Sequence, residues 1–476
     1  MHDATTWCCG LALAGTLSGC VSPLGTLDDD TQLAETTQRQ WAPTAMEKWQ
    51  DANAPAAGED QVHLPTIDEA STLGECLRYA AAANQTLEAA WHRWQAALER
   101  VPQVTALPDP RASYGYFLNE VETRVGPQKH RISLSQTLPW FGKLDLAGDI
   151  AAEQADAEFE RFQAARFALF QKVHATYAEL FYLRSAIELT QKNLDLLQQF
   201  EQIIRARYRV GAEGSSHPDL VRVQLELGQL EDRVQQLVQL RPTFAARFNA
   251  ALNRAPDAAA PWPSELLSPL VTVDESALQE QLKARNPQLL ALTAQMREQQ
   301  AAAKLARKSA YPDITLNLDY TVTGEAAVSS MNESGDDAMM AGFSINLPIW
   351  REKYDAAVRE SLRKRLATAS QRQATESELL ADMQQAIFNY RDAQRRIALY
   401  RNTLIPKAEE SLNATLRAYQ AATLPFLDLL DAERTLLELQ LNQQRAVADG
   451  SVAVAMIEML IAEALPLAGP DVGDES

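Results

Sequence analysis

Ile314-Thr315-Leu316-Asn317-Leu318-Asp319-Tyr320-Thr321-Val322-Thr323 alternates apolar and polar side chains without a slip. Period-two alternation puts one kind of side chain on each face of an extended strand. Just downstream, Phe343, Ile345 and Leu347 alternate with Ser344 and Asn346. The connector at about 324–337 is acidic (Glu325, Glu333, Asp336, Asp337) and rich in Gly and Ser, as an exposed loop should be. These features predict a hairpin with one apolar and one polar face. Half-buried strands of a soluble sheet alternate in this way. So do the roughly ten-residue strands of a transmembrane barrel, apolar toward lipid and polar toward the lumen.

Outward from this hairpin the chain repeats itself, and the repeat decides the fold. Leu107-Pro108-Asp109 is echoed by Tyr311-Pro312-Asp313, Leu138-Pro139 by Leu347-Pro348, and Asp219-Leu220 by Asp428-Leu429. In the first half Ile132, Leu134 and Leu138 alternate with Ser133, Ser135 and Thr137. Tyr114, Tyr116 and Leu118 supply one face of another strand, with a loop expected at about 119–129. Each half reads helix, strand, loop, strand, helix, turn, helix. Val173, Leu180, Ile187 and Leu194 follow heptad spacing, as do Met383, Tyr390, Ile397 and Leu404 at a constant offset. Such spacing lays one apolar seam along a supercoiling helix.

The longest helical stretches run from about Lys143 to Arg209 and from about Arg351 to Ala418. Each would reach roughly 100 Å, a length suited to a conduit rather than a compact core. Gly148 is the only breaker in the first, and Pro406 predicts a kink or an interruption in the second. If the four strands span a bilayer, their sheet must close, because lipid cannot hydrate a bare edge. Four strands are too few to close alone, so closure demands oligomerisation.

The remaining composition narrows the function. A net charge of −19 argues against nucleic-acid binding. Three of the four cysteines, Cys8, Cys9 and Cys20, lie near the start and only Cys76 in the body, which builds neither a disulfide framework nor a metal site. The histidines are scattered. Residues 7–19 are mostly apolar or small and end in Leu17-Ser18-Gly19-Cys20, which matches a bacterial lipoprotein box with Cys20 as the lipidated residue. Met1-His2-Asp3-Ala4 departs from a typical leader by lacking Lys and Arg. Val21 after the cysteine favours the outer membrane. Elsewhere no apolar run is long enough for a transmembrane helix. The expected divisions are a signal peptide (1–19), a lipid anchor and extended arm (20–70), a first repeat (71–262), a second repeat (263–463) and a flexible tail (464–476).

This layout resembles the outer-membrane efflux protein family, with TolC as its best-known member, over roughly residues 70–463. The resemblance implies a mainly α chain with a β-barrel contribution: a long coiled-coil tunnel plus four strands, closing a 12-stranded barrel as a homotrimer. It implies a passive exit duct in the Gram-negative outer membrane, lipid-anchored and extending into the periplasm. A periplasmic adaptor and an inner-membrane pump would complete it, and drugs or heavy-metal ions are candidate cargo. No cofactor, bound metal or catalytic residue is implied.

The motifs that carry the resemblance are Tyr208-Arg209-Val210-Gly211 followed by Asp219-Leu220, and Tyr419-Gln420-Ala421-Ala422 followed by Asp428-Leu429-Leu430-Asp431-Ala432. In the family these turns form the periplasmic tip, where the adaptor docks. That points to Tyr208, Val210, Gly211, Asp219, Tyr419 and Leu424 as docking residues. Asp428 and Asp431 share a helix face, so three copies would ring a narrow opening with carboxylates that favour cations. Asp428 is equally at home as the cap or the start of a helix. At the strand-to-helix passage, Pro139-Trp140 within Gln136-Thr137-Leu138-Pro139-Trp140-Phe141-Gly142-Lys143, and Pro348 and Trp350, fit a barrel-to-tunnel junction or simple core packing. The first form is similar to members that serve heavy-metal exporters.

Two departures stand out. The family often carries an arginine in the second turn that ties the closed gate, but Thr423-Leu424-Pro425 has no base, and Ala422 replaces a glycine. The first turn is longer, with Gly211, Gly214 and Pro218. Packing of Leu424 and Phe426 is the expected substitute. A lipid-anchored adaptor or coiled-coil scaffold is the rival reading. It would show one helical hairpin and Gly/Val-rich β-domains, whereas this chain has two hairpins. An enzyme would need a nucleophile elbow, phosphate loop or metal motif, none of which the sequence contains.

Overall fold

The computed structural model describes residues 65–209, 217–266, 274–327 and 332–465. Cys20, the leader, most of the arm, Val210, Gly211 and most of the tail lie outside the described residues.

The first half runs α1 (Leu73–Ala83), α2 (Gln85–Leu98), the short α3 (Arg100–Thr105), β1 (Arg111–Thr123), β2 (Gly126–Leu138), α4 (Lys143–Arg209) and α5 (His217–Ala251). The second half runs α6 (Glu275–Arg285), α7 (Pro287–Lys308), β3 (Ile314–Thr323), β4 (Ala338–Ile345), α8 (Arg351–Leu399), a π-turn (Tyr400–Leu404), α9 (Ile405–Gln420) and α10 (Phe426–Ile461). No described helix is long and apolar enough to cross a membrane.

A pair of buried asparagines makes the duplication physical. Asn84 caps α2, accepting from the backbone of Thr86 and Leu87, while its amide donates to Ala251 O at the end of α5. Asn286 caps α7 in the same way, accepting from Gln288 and Leu289 and donating to Leu460 O at the end of α10. Each asparagine satisfies orphan groups of two helix ends at once. In each half it locks the hinge of the opening helices onto the closing helix.

The four strands form one antiparallel sheet in the order β1-β2-β3-β4. The loop expected at about 119–129 is a correction. β1 runs to Thr123 and β2 starts at Gly126, so the connection shrinks to a tight turn at Arg124 and Val125, with Gly126 at φ 133. The polar residues there look like loop, but ladder pairing with β2 extends the strand: Glu122 faces Pro127 and Val121 faces Gln128. The register shifts between Tyr116 and Val121, as a bulge absorbs a mismatch.

The helices form a layer. α4 is flanked by α5 and α10 in one part and by α2 and α7 in another, and α8 lies beyond α7 and α10. Its seams hold the apolar core. One cluster joins α4, α5, α9 and α10 through Leu197, Phe200, Ile204, Val223, Tyr419, Phe426 and Leu429. A second joins α1, α2, α4 and α5, and a third joins α6, α7, α8 and α10.

α4 is unbroken over its 67 residues, whereas its counterpart breaks at the π-turn. Pro406 has no N–H to donate and its ring crowds the preceding turn. The chain answers with a wider turn, in which Ile405 N donates to Tyr400 O. This is the expected interruption of the helix, and it corrects the second heptad seam. Met383, Tyr390 and Ile397 are buried, but Leu404 falls in the π-turn, where no residue is buried.

Candidate functional site: sheet faces, junction and helical tip

The sheet is inside out relative to a soluble one. On β3, Leu316, Leu318 and Tyr320 are exposed, while Asp319 and Thr323 on the opposite face are buried. Asp319 pairs with Arg131 at 2.9 Å and accepts from the Ser133 hydroxyl, so the polar face knits β2 to β3. On β2, Ile132 and Leu134 share the exposed apolar face. Both outer strands are bare: every residue of β4 is exposed, and nearly all of β1. Leu118, Met339 and Phe343 are bare, and the exposed Tyr114 and Tyr116 have His130 against them.

At the junction the two halves interlock. Trp140 stacks on Tyr311 with ring centroids 5.5 Å apart. Its backbone N–H donates to Asp313 Oδ1 at 2.8 Å. Lys143 Nζ reaches the same oxygen at 2.7 Å and Tyr311 O at 2.9 Å. Gly142 takes φ 74, the left-handed conformation that lets the chain turn from strand into α4. Pro139 and Pro348 follow the ends of β2 and β4. The two tryptophans differ: Trp140 is half-buried against Tyr311, whereas Trp350, at the start of α8, is 74% exposed.

The tip is the turn between α9 and α10 beside the ends of α4 and α5. α9 ends in a Schellman-type turn: Ala422 sits at φ 60, its N–H donates to Tyr419 O, and Thr423 N donates to Ala418 O. The turn therefore keeps its left-handed residue although Ala stands where the family often has Gly, at a local cost of about 1–2 kcal/mol. Asp428 lies in the first turn of α10, where a carboxylate suits the helix dipole. The N-cap is Pro425, without a side-chain bond, so Asp428 is not the cap. Asp428 and Asp431 are both exposed. Asp219 is buried in the first turn of α5 and pairs with Arg222 at 3.7 Å. Tyr208 is exposed, 6.1 Å from the His217 ring, and Leu424 is exposed.

Phe426 corrects the expectation that it packs with Leu424. It is fully buried in the cluster that joins α4, α5, α9 and α10, edge-on to Tyr419 at 5.8 Å, while Leu424 is exposed.

Sequence reasoning missed several tip residues. Arg207 donates to Tyr419 O at 2.6 Å and Gln420 O at 3.2 Å and lies 5.1 Å from the Tyr419 ring centroid. Arg434 grips both carboxylate oxygens of buried Glu226. Glu433 is 1% exposed, and its oxygens have no hydrogen-bond partner. Burial, then the neighbouring Glu226, pushes its carboxyl up to about 8 against the pull of Arg434. No motif announced these residues, whereas Asn84 and Asn286 were findable, since each is an Asn just before a helical run.

A sheet with bare edges and an apolar outer face, continued into long helical hairpins, defines a channel-forming outer-membrane protein. The pattern of the family described as "Outer membrane efflux protein" matches residues 77–242 and 278–460. The chain belongs to that family and is an outer-membrane efflux channel component. It is 24% identical over 332 residues to the pyoverdine export outer membrane protein OpmQ of Pseudomonas putida, a match spanning 66% of each chain. It is 22% identical to the cobalt-zinc-cadmium resistance protein CzcC of Cupriavidus metallidurans, covering 82% of this chain and 90% of that one. In fold it is similar to the outer membrane protein VceC of Vibrio cholerae, with a TM-score of 0.67 at 17% identity over 82% of this chain and 96% of the other.

Proposed function

We propose that three copies of this chain form a passive duct. Their sheets join edge to edge, β1 of one to β4 of the next, into a barrel of twelve strands. Their helical layers join along exposed apolar flanks, Val221, Leu225 and Val238 on α5 and Leu362, Leu366 and Phe388 on α8. The observation that carries this reading is the sheet itself: bare edges, apolar residues outward and a hydrogen-bonded polar face inward. Only closure satisfies such a sheet in lipid. Cys20 is the lipid anchor to the outer membrane. A periplasmic adaptor engages the turns around Tyr208–Asp219 and Tyr419–Leu424, and an inner-membrane pump supplies the energy. The names of OpmQ and CzcC support cargo that is a small solute or a metal ion.

Asp428 and Asp431 supply the narrowest ring, a filter for cations. Their exposure on one face of α10 supports this. Planar-bilayer recording tests both levels. The purified chain should give discrete cation-preferring conductance, blocked by divalent ions, and Asp428→Asn with Asp431→Asn should weaken preference and block together. A soluble monomer that leaves bilayers silent would overturn the duct. Unchanged selectivity in the double variant would overturn the ring.

A further inference from the structure

We propose that the end of the helical layer next to the sheet is a docking belt for anionic phospholipid headgroups of the periplasmic leaflet. The belt is built from Lys304 and Arg307 on α7 and Arg351 and Lys353 on α8. The inference rests on the duct reading above, which puts the apolar face of the sheet in lipid.

The belt continues that face. Where the sheet passes into the helices, Phe141, Leu347, Ile349 and Trp350 are all exposed. Bare apolar and aromatic side chains at the level where a barrel ends fit the interfacial zone of a bilayer. The cations lie close to the same level. Arg307 is in the last turn of α7 with Lys304 just before it, and Arg351 and Lys353 are in the first turn of α8. All four are exposed. Among the described residues none of them has an ion pair, and Lys353 only lies over the neighbouring Tyr354 ring at 5.5 Å.

In a chain of net charge −19 such unpaired cations are out of place. Nearby, Arg297, Arg359 and Lys364 do find carboxylates, in Glu153, Glu352 and Glu360. The helix dipole does not hold Arg351 and Lys353 either, because cations are disfavoured at the N-terminal end of a helix. The balancing charge therefore comes from outside the chain. At the edge of a bilayer it is lipid phosphate, and Lys and Arg stems can lie along apolar surface while their charged ends reach it.

Lys304 and Arg307 also face the right side. With Arg297 and Gln300 they form one exposed stripe along α7. Residues of α4, α5, α8 and α10 together line one cleft, and four helices of a layer share a cleft only on its concave side. On α4 that cleft takes Gln171, Ala175 and Glu179. Arg297 instead binds Glu153 and Asp156, which stand whole heptads from His174 and Tyr177 and so off the cleft face. The stripe is thus on the convex side, which a layer curled into a tube turns outward.

The test is lipid retention by the full-length protein, purified in mild detergent with equal amounts of phosphatidylglycerol and phosphatidylcholine and read by mass spectrometry of the bound lipid. The parent should prefer phosphatidylglycerol at least about tenfold, because each Lys or Arg beside an anionic membrane surface contributes about fivefold. K304Q/R307Q/R351Q/K353Q should fall to near parity. K172Q/K192Q/R233Q/R401Q removes four exposed cations far from the sheet and should keep the parental preference. If the belt variant does not assemble, R351Q/K353Q decides: an intermediate preference supports the belt and the parental value overturns it. No preference in the parent, a preserved preference in the belt variant, or an equal loss in the control also overturns it. So does a belt variant that loses its oligomer and keeps its lipid, since the face would then join copies of the chain. Pores recorded beside these measurements separate the two readings. Parental pores without lipid preference overturn the belt alone, and a parent that enters no bilayer overturns the duct reading and the belt with it.

Discussion

In the helical layer Leu180, Leu197, Ile204 and Leu429 are sealed from solvent, whereas in the sheet Leu118, Met339 and Phe343 stand bare and Asp319 is covered. Two regions of one chain therefore obey opposite burial rules. The helices follow the ordinary hydrophobic rule, apolar side chains toward each other and charges toward water. The sheet follows the rule for a bilayer, where the outside is the apolar solvent. The contrast teaches that the burial pattern of each region reports its solvent, and that one chain can be built for two.

Three substitutions break or sharpen that contrast. The largest effect belongs to the helical core. Phe426→Ala removes a fully buried ring and should cost about 3–5 kcal/mol, read as a fall in urea midpoint for the detergent-solubilised protein. It should act in any solvent; a midpoint shift seen only in vesicles would blur the two regions. Next comes Leu318→Arg on the exposed face of β3. It should cost about 2–4 kcal/mol per chain if it lies near the bilayer midplane, measured by unfolding from phospholipid vesicles. A chain whose assembly in lipid ignores this arginine does not have β3 against lipid.

The smallest effect is Glu433→Gln. Burial raises the carboxyl to about 8, so the folded chain binds this proton more tightly than the unfolded chain, whose value is near 4.5. Its contribution to stability is full below about 4.5 and declines as pH rises toward 8. The variant should melt near the parent at pH 4 and a few degrees above it at pH 8 or higher, by scanning calorimetry in detergent. A gap that does not grow with pH would show that Glu433 is solvated.

Much of this was legible beforehand. Residues 314–323 announce a strand because side-chain direction follows the backbone period, and the structure pairs all of them in β3. Pro406 announces the π-turn's interruption because a missing N–H is a local fact. The turn at Arg124 and Val125 was hidden because polar residues 119–129 gain strand structure only from a ladder partner. Leu404 was misplaced because heptad counting assumes an unbroken helix. Arg207 was invisible because its partners are carbonyls, which every residue carries.

The sequence by itself determined the duplication, the two faces of each strand, the length of α4 and the shared face of Asp428 and Asp431. Each follows from local period, and period is written in the order of residues. Only the tertiary structure decided that Phe426 is buried in the cluster joining α4, α5, α9 and α10, that Trp140 stacks on Tyr311 while Trp350 is bare, and that Arg207, Tyr419 and Gln420 meet. Those facts depend on how segments far apart in sequence approach one another, and packing geometry, unlike period, leaves no local mark.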